Sequence, residues 1–366
     1  MSLLRTNKSS FRQNQKGVAL VVVLLIVALV SILATQMVSR LQLNVVRAQN
    51  IKDNNQAYWY ALGAEEFARK SLSAIEALSP DNINLSQPWA QRFEYPIDGG
   101  SITAELSDMQ ACFNLNAVNS KKTEPNPSGG GGGEEGGESG SGGELDQPEP
   151  DPRSRRGGDN GRTPSQQAFH NLLDFVIEDS YTVDVVTDSM IDWLDEDDNP
   201  SNYGAEDVDY ESLANPYLAA NSAMSSKSEL RLINGVSEGI RNQWLQNLLP
   251  LVCVIPEENL ALNVNTVTED TAHVLAALLG DDVSTAQTII SNRPPEGFAN
   301  IEDFKNLPAV TALDLQAEQL GWFSLDTKYF KLRTTAKYNE AQFSLSTLFS
   351  VDGDSVTVVR REFGIF

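Results

Sequence analysis

Histidine and cysteine are nearly missing from this chain: 366 residues hold two of each, His170 and His273, Cys112 and Cys253. Two cysteines cannot build a disulfide-dense scaffold or a cysteine zinc cluster, and two histidines leave little for histidine-based catalysis. No Gly-x-Ser-x-Gly or His-Glu-x-x-His pattern occurs, so the common hydrolase signatures are absent. Positive charge is scarce as well, with 27 Lys and Arg against 50 Asp and Glu and a formal net charge of -23. A chain this acidic repels phosphate backbones, which argues against nucleic acid as a partner. Apolar residues are not scarce. At 41% hydrophobic composition a core can form, and the length suits one large domain or two to three ordinary ones.

The scarce positive charge gathers at the start, where Arg5, Lys8, Arg12 and Lys16 occur with no acidic residue. An apolar run then extends from Val18 to Ala34 with only Ser31 polar. At 1.5 Å per residue it covers roughly 25 Å, and carried on to Val38 it approaches the ~30 Å hydrocarbon core of a bilayer. Basic residues ahead of it place the N-terminus in the cytoplasm and the acidic remainder outside. Three readings compete: a cleaved secretory signal, a plain signal anchor, and a processed anchor cut at Gly17. The run is long for a signal h-region, and no small-residue cleavage site follows it.

Beyond the membrane, Leu41, Val45, Ala48, Ala57, Ala61, Ala64, Phe67, Ala68 and Leu72 recur at threes and fours, which predicts one helix from about Val18 to about Ala77. Gly100–Leu106 and Phe113–Leu115 read as strands. Tyr329–Ala336, Ala341–Val351 and Ser355–Phe363 alternate in the last forty positions, joined by turns at Asn339 and Gly353. Residues 121–166 are rich in Gly, Glu and Pro, a composition too polar to offset its ordering entropy, and read as a disordered loop. From 167 to 325 the periodicity is helical. The fold class expected is α+β: a long N-terminal helix on a small antiparallel sheet, interrupted by a large all-helical insertion. The boundaries are 1–17 (basic leader), 18–38 (membrane part of the helix), 39–120, 121–166 (loop), 167–325 (insertion) and 326–366 (closing strands).

The richest cluster of chemistry is IDWLDEDDNPSNYGAEDVDY at 191–210. Hard oxygen donors on an irregular loop suit Ca²⁺, which takes six to eight oxygens in flexible geometry. Asp195, Asp197, Asn199, Glu206, Asp207 and Asp209 are the candidate ligands. Asp195, Asp197 and Asn199 alternate as in an EF-hand, but neither its central glycine nor its closing Glu follows. A solvated acidic loop is the bland alternative, and a catalytic carboxylate pair has no basic partner nearby. Residues 262–304 resemble a helix-hairpin-helix or SAM-like unit, with a weaker relative at 230–248. Its turn, Gly280-Asp281-Asp282, carries two carboxylates that repel phosphate, so the unit reads as a packing module rather than a DNA binder. Cys112 and Cys253, in an oxidising compartment, are expected to pair.

A Lys-Gly junction directly before an apolar helix resembles the type IV pilin-like N-terminus, cut after glycine and methylated on the new amine. That resemblance makes Gly17 and Val18 the cleavage pair and Val18 the methylated residue. Pilins usually carry Glu at the fifth mature position, and here that place is Val22. With CFNLNAV at 112–118, DWLDEDDNP and GAEDVDY within 192–210, and LNVNT at 262–266, the chain resembles the protein K family of type II secretion minor pseudopilins, and it does so over nearly its whole length. The resemblance implies a pilin-like fold, no enzymatic activity, and a single-pass protein of the bacterial inner membrane with a periplasmic C-terminal domain. It implies a place at the pseudopilus tip, where assembly is initiated for export of folded proteins across the outer membrane. Its implied partners are the I- and J-type minor pseudopilins, the major pseudopilin, the inner-membrane secretion platform, the prepilin peptidase and the exported proteins themselves. Val22 marks the tip, because no carboxylate is present to pair with a subunit above. The alternative is a membrane-anchored periplasmic binding module for DNA or peptide that never polymerises.

Overall fold

A computed structural model describes residues 18–79, 81–120, 161–236, 243–353 and 355–364. Helix α1 spans Val18–Leu78, one residue beyond the end that the periodicity predicts. Its first charged residue is Arg40, and its N-terminal part is exposed on every side. From Ala57 onward a stripe turns inward: Ala57, Ala61, Ala64, Glu65, Ala68 and Leu72 are buried. Alanine at these positions lets the helix lie close to a sheet. Ala57 and Ala61 meet Ala336 and Leu345, while Ala68 and Leu72 meet Phe330, Leu332 and Phe349.

That sheet has five strands in the order β1-β2-β7-β8-β9, every neighbour antiparallel. Strand β1 is Phe93–Ile97, β2 Gly100–Asp108, β7 Tyr329–Tyr338, β8 Ala341–Asp352 and β9 Ser355–Phe363. Strand β2 pairs with β7 from Gly100↔Tyr338 to Asp108↔Phe330, so everything between them in sequence is inserted between two adjacent strands. Phe113 and Asn114 do not join this sheet. They form β3, which pairs in parallel with β4, Val252–Cys253.

The insertion departs from the all-helical expectation. Besides β4 it contains β5 (Leu262–Asn263), paired in parallel with β6 (Phe323–Ser324). Buried backbone amides need partners, and two-residue ladders supply them while leaving no alternation to detect in sequence. Helix α2, Pro164–Asp174, also begins inside the stretch expected to be disordered. Thr163 caps it, accepting from the Gln166 amide while the Gln166 side chain accepts from the Thr163 amide. Threonine and proline look like loop composition, yet at the N-cap and the first helical turn they start helices. Of that expected loop, residues 121–160 lie outside the described residues.

Helix α3 follows at Ser180–Leu194 and α4 at Asp207–Glu211. Helices α6 (Ala272–Leu279) and α7 (Val283–Asn292), the latter two numbered after α5 at Trp244–Leu248, form the expected helical hairpin. Gly280 turns it with a left-handed φ of 66°. Most buried apolar residues of this region belong to one core, centred on Phe169, Leu172, Met190, Leu245, Leu275 and Phe304.

Asparagines hold the joints. Asn116 Nδ2 donates to the carbonyls of Met224 and Ile255, and its Oδ1 accepts from the Met224 amide. Asn263 Nδ2 donates to the Ile83 carbonyl and to Thr327. The CFNLNAV and LNVNT segments therefore satisfy buried backbone at the seam between sheet and insertion.

Candidate functional site

The acidic stretch is organised by helix α3. Spacing of four along its face puts Asp188 and Asp192 one turn apart, both buried, facing the loop that follows. Asp188 is neutralised by Arg162 at 2.8 Å and accepts the Tyr203 amide at 3.1 Å. Asp192 accepts the Ser201 amide at 3.0 Å. Gly204 lies so close that a Cβ there would fall 1.7 Å from Asp192 Oδ2, so any larger residue would have to push that carboxylate aside. Two helix carboxylates thus fold the loop back over α3.

The six candidate ligands divide. Asp195, the C-cap of α3, has a buried Oδ1 without a partner, and both Oε atoms of the buried Glu206 are likewise unpartnered. Asp209 Oδ2 accepts the Glu206 amide, and Asp207 Oδ1 accepts the Ala219 amide. Asp197 accepts from the Asn199 amide and side chain, and both residues are exposed. Composition could not indicate Asn221, whose Oδ1 is also buried and unpartnered and whose Nδ2 donates to Asp198 Oδ1 at 3.1 Å. It comes from a distant loop and is held at a left-handed φ of 44°.

Burial, with the charges of Asp192, Asp195, Asp198 and Asp207 added, pushes the Glu206 carboxyl up to about 7. Burial together with Asp197 and Asp192 pushes Asp195 up to about 6. Among the described residues, no three Asp, Glu, His or Cys side chains already converge as a metal cage. The chemistry of the donor set nevertheless fits a hard cation. Among the described residues, four buried oxygens on Asp195, Glu206 and Asn221 lack any donor, and a buried acceptor without a donor is costly. Like charges without a counter-ion also hold one another apart, which opposes convergence.

Cys112 and Cys253 form a disulfide across 141 positions, in a small cluster with Met109, Ile255, Tyr329 and Leu348. It fastens the insertion to the face of the sheet opposite α1. His273 lies edge-on against Phe175. Gly17 lies outside the described residues. Val18 is the first residue of α1, and Val22 projects from the exposed helix.

Two models of the type II secretion system protein K family match the chain, over residues 111–257 and 262–326. The type II secretion system protein K of Aeromonas hydrophila is 33% identical, over 95% of this chain and 97% of that protein. Its counterpart in Dickeya chrysanthemi is 32% identical over 96% and 98%. Among solved structures, a chain of the GspK-GspI-GspJ complex from enterotoxigenic Escherichia coli superimposes with a TM-score of 0.70, covering 87% of this chain and 100% of its own. At 24% identity that likeness speaks for the fold alone. On the family models and the near end-to-end relatives, the chain belongs to the type II secretion system protein K family.

Proposed function

We propose that this chain is a minor pseudopilin that caps the pseudopilus tip and initiates its assembly. The observation that carries the reading is α1: uncharged from Val18 to Ser39, exposed throughout that stretch, and joined directly to a folded body. Such a helix is stable only in lipid or among other apolar helices. One surface therefore serves first as a membrane anchor and then as a fibre core. The five-stranded sheet against its C-terminal half supports a pilin-like architecture. The apolar Val22 offers no carboxylate to a subunit above, which suits an end position. The separately cored insertion suits an end too, since it adds bulk beside the sheet.

The neighbouring solved structure is a complex with GspI and GspJ. By extension, I- and J-type minor pseudopilins are the immediate partners here. The major pseudopilin, the inner-membrane platform and the prepilin peptidase then act on the assembled or unprocessed subunit. In this reading the N-terminus is cytoplasmic and the folded body periplasmic, an oxidising compartment in keeping with the disulfide. No catalytic role is assigned.

The reading includes a structural Ca²⁺ in the 195–221 region. Asp195, Glu206 and Asn221 supply the buried oxygens, and Asp198 and Asp207 add charge. The cation would supply charge neutralisation that no ion pair among the described residues gives these carboxylates.

Intact-mass and N-terminal analysis of protein from membranes, with and without the prepilin peptidase, tests the processing. The expected product begins at Val18 and carries one added methyl. An uncut chain, or one cut elsewhere, removes the polymerising role and leaves a plain anchored protein.

A further inference from the structure

Several cations of this acidic molecule have close carboxylate partners. Arg69 pairs with Glu66, Arg162 with Asp184 and Asp188, Lys305 with Glu302, and Arg361 with Glu65. Three others are gathered together. A cleft of about 610 Å³ between the sheet and the insertion is lined by Lys227, Lys331 and Arg333. Lys331 and Arg333 alternate on β7 with Leu332, which packs toward α1, so both project from the opposite face. The nearest carboxylate to Lys331 is Glu362 at 3.8 Å, and Glu362 already holds Arg360 at 2.9 Å. Arg333 is exposed, with no ion pair among the described residues; Glu105 stands opposite it in the β2 register. Lys227 Nζ reaches in from the insertion, donating to the carbonyls of Leu249 and Val252.

The wall of this cleft is also unfinished. Strand β1 pairs with β2 only from Gly100 to Ala104, so among the described residues β2 has no ladder partner on its outer side from Glu105 to Asp108. Those four residues line the cleft. A free strand edge accepts an extended peptide, and pockets beside it read alternate side chains.

We propose that this cleft binds an extended acidic peptide segment of a partner protein, its carboxylates against Lys331 and Arg333 and its backbone along β2. The anionic groups on the wall favour a peptide over a phosphate. Glu105 and Asp108 both line the cleft, so a dianion would face two carboxylates, whereas spaced peptide carboxylates can avoid them. Trp89, Leu106 and Val252 provide apolar wall for the intervening side chains. Mutual repulsion supports the need for an anion. Burial and the charges of Lys331 and Arg333 bring Lys227 down to about 8. Burial, with Arg333 and Arg360, lowers Lys331 despite Glu362.

The test is fluorescence anisotropy on the full chain in detergent, with a dye-labelled peptide of alternating Val and Glu. A peptide with Gln in place of Glu is the control, and inorganic phosphate the competitor. Saturable binding of the Glu peptide alone is expected, weakening with salt. Lys331→Gln or Arg333→Gln should each weaken it about tenfold, the scale of one charge-assisted hydrogen bond, and the remote Lys305→Gln should leave it unchanged. Lys227 is spared because its hydrogen bonds are structural, and melting curves verify that the variants fold. Three results would overturn the proposal: no saturable binding, equal binding by wild type and the Arg333 variant, or displacement by phosphate at matching concentration, which would mark a small-anion site.

Discussion

Glu65 is the one carboxylate on the buried stripe of α1, and it fixes the helix to the far edge of the sheet. Arg361 on β9 donates to it through Nη2 at 2.7 Å and Nε at 2.9 Å, and Thr347 on β8 donates at 2.6 Å. Burial raises the Glu65 pKa, but the bonds from Arg361 and Thr347 and the Arg361 charge outweigh it and hold the group below its usual 4.5. The partners are unequally buried: the Glu65 side chain is 2% exposed and that of Arg361 43%. Removing the arginine strands a buried charge, whereas removing the glutamate charge leaves an arginine that can turn to water. Breaking a buried pair costs about 3–5 kcal/mol, and access of water from the arginine side places Arg361→Ala near ~3 kcal/mol. Glu65→Gln keeps the volume and the Thr347 contact and should cost about 1–2 kcal/mol. In wild type the native pKa is depressed, so the pair's contribution is fully present above about pH 4.5 and fades as pH falls through the native value. In Arg361→Ala the stranded carboxyl is raised instead, so its deficit should shrink as pH falls from 7.5 to 5. Urea denaturation followed by circular dichroism at both pH values measures this. A Glu65→Gln cost equal to or above that of Arg361→Ala, or an Arg361→Ala deficit indifferent to pH, would refute the reasoning.

Glu206→Gln should have opposite effects in two buffers. In chelator it should stabilise by about 1–3 kcal/mol, because an unpartnered buried charge disappears; in millimolar Ca²⁺ it should lose most of the wild-type gain, and thermal melts with and without the ion measure both. The raised native pKa makes chelated wild type lose stability as pH rises from about 4.5 to about 7. Gly204→Ala puts a methyl into Asp192 and should lower both stability and Ca²⁺ affinity, by about 2 kcal/mol in stability, as read by calorimetry. Replacing Cys112 and Cys253 with Ser should cost about 4–5 kcal/mol in the chain-entropy account of a long loop, seen as a lower denaturation midpoint that reductant also produces in wild type.

Helix α1 and strands β2, β7, β8 and β9 were legible in the sequence because each carries its period over enough residues. Strand β1 was not: FEYPI is only five residues long, holds Pro96 and lies at an edge. The pairings β3–β4 and β5–β6 are two residues long and exist only through contacts between distant segments. The acidic stretch stood out by composition, but composition could not separate Asp195 and Glu206, left with bare buried oxygens, from Asp209 and Asp197, spent on local amides. Asn221 and the Asp192–Gly204 contact depend on the loop folding back over α3. The cysteine pair was readable since no other partner exists. Lys227 and Arg333, a hundred positions apart, meet only once the insertion docks on the sheet.

The central claim is position at the fibre end, and labelling decides it. Pseudopili assembled with an epitope-tagged chain should carry label at their tips alone. The same chain with Val22→Glu should also appear along the shaft, because the restored carboxylate can pair with a subunit above. Label spread along the fibre for the unaltered chain, or the same distribution for both, would contradict the account.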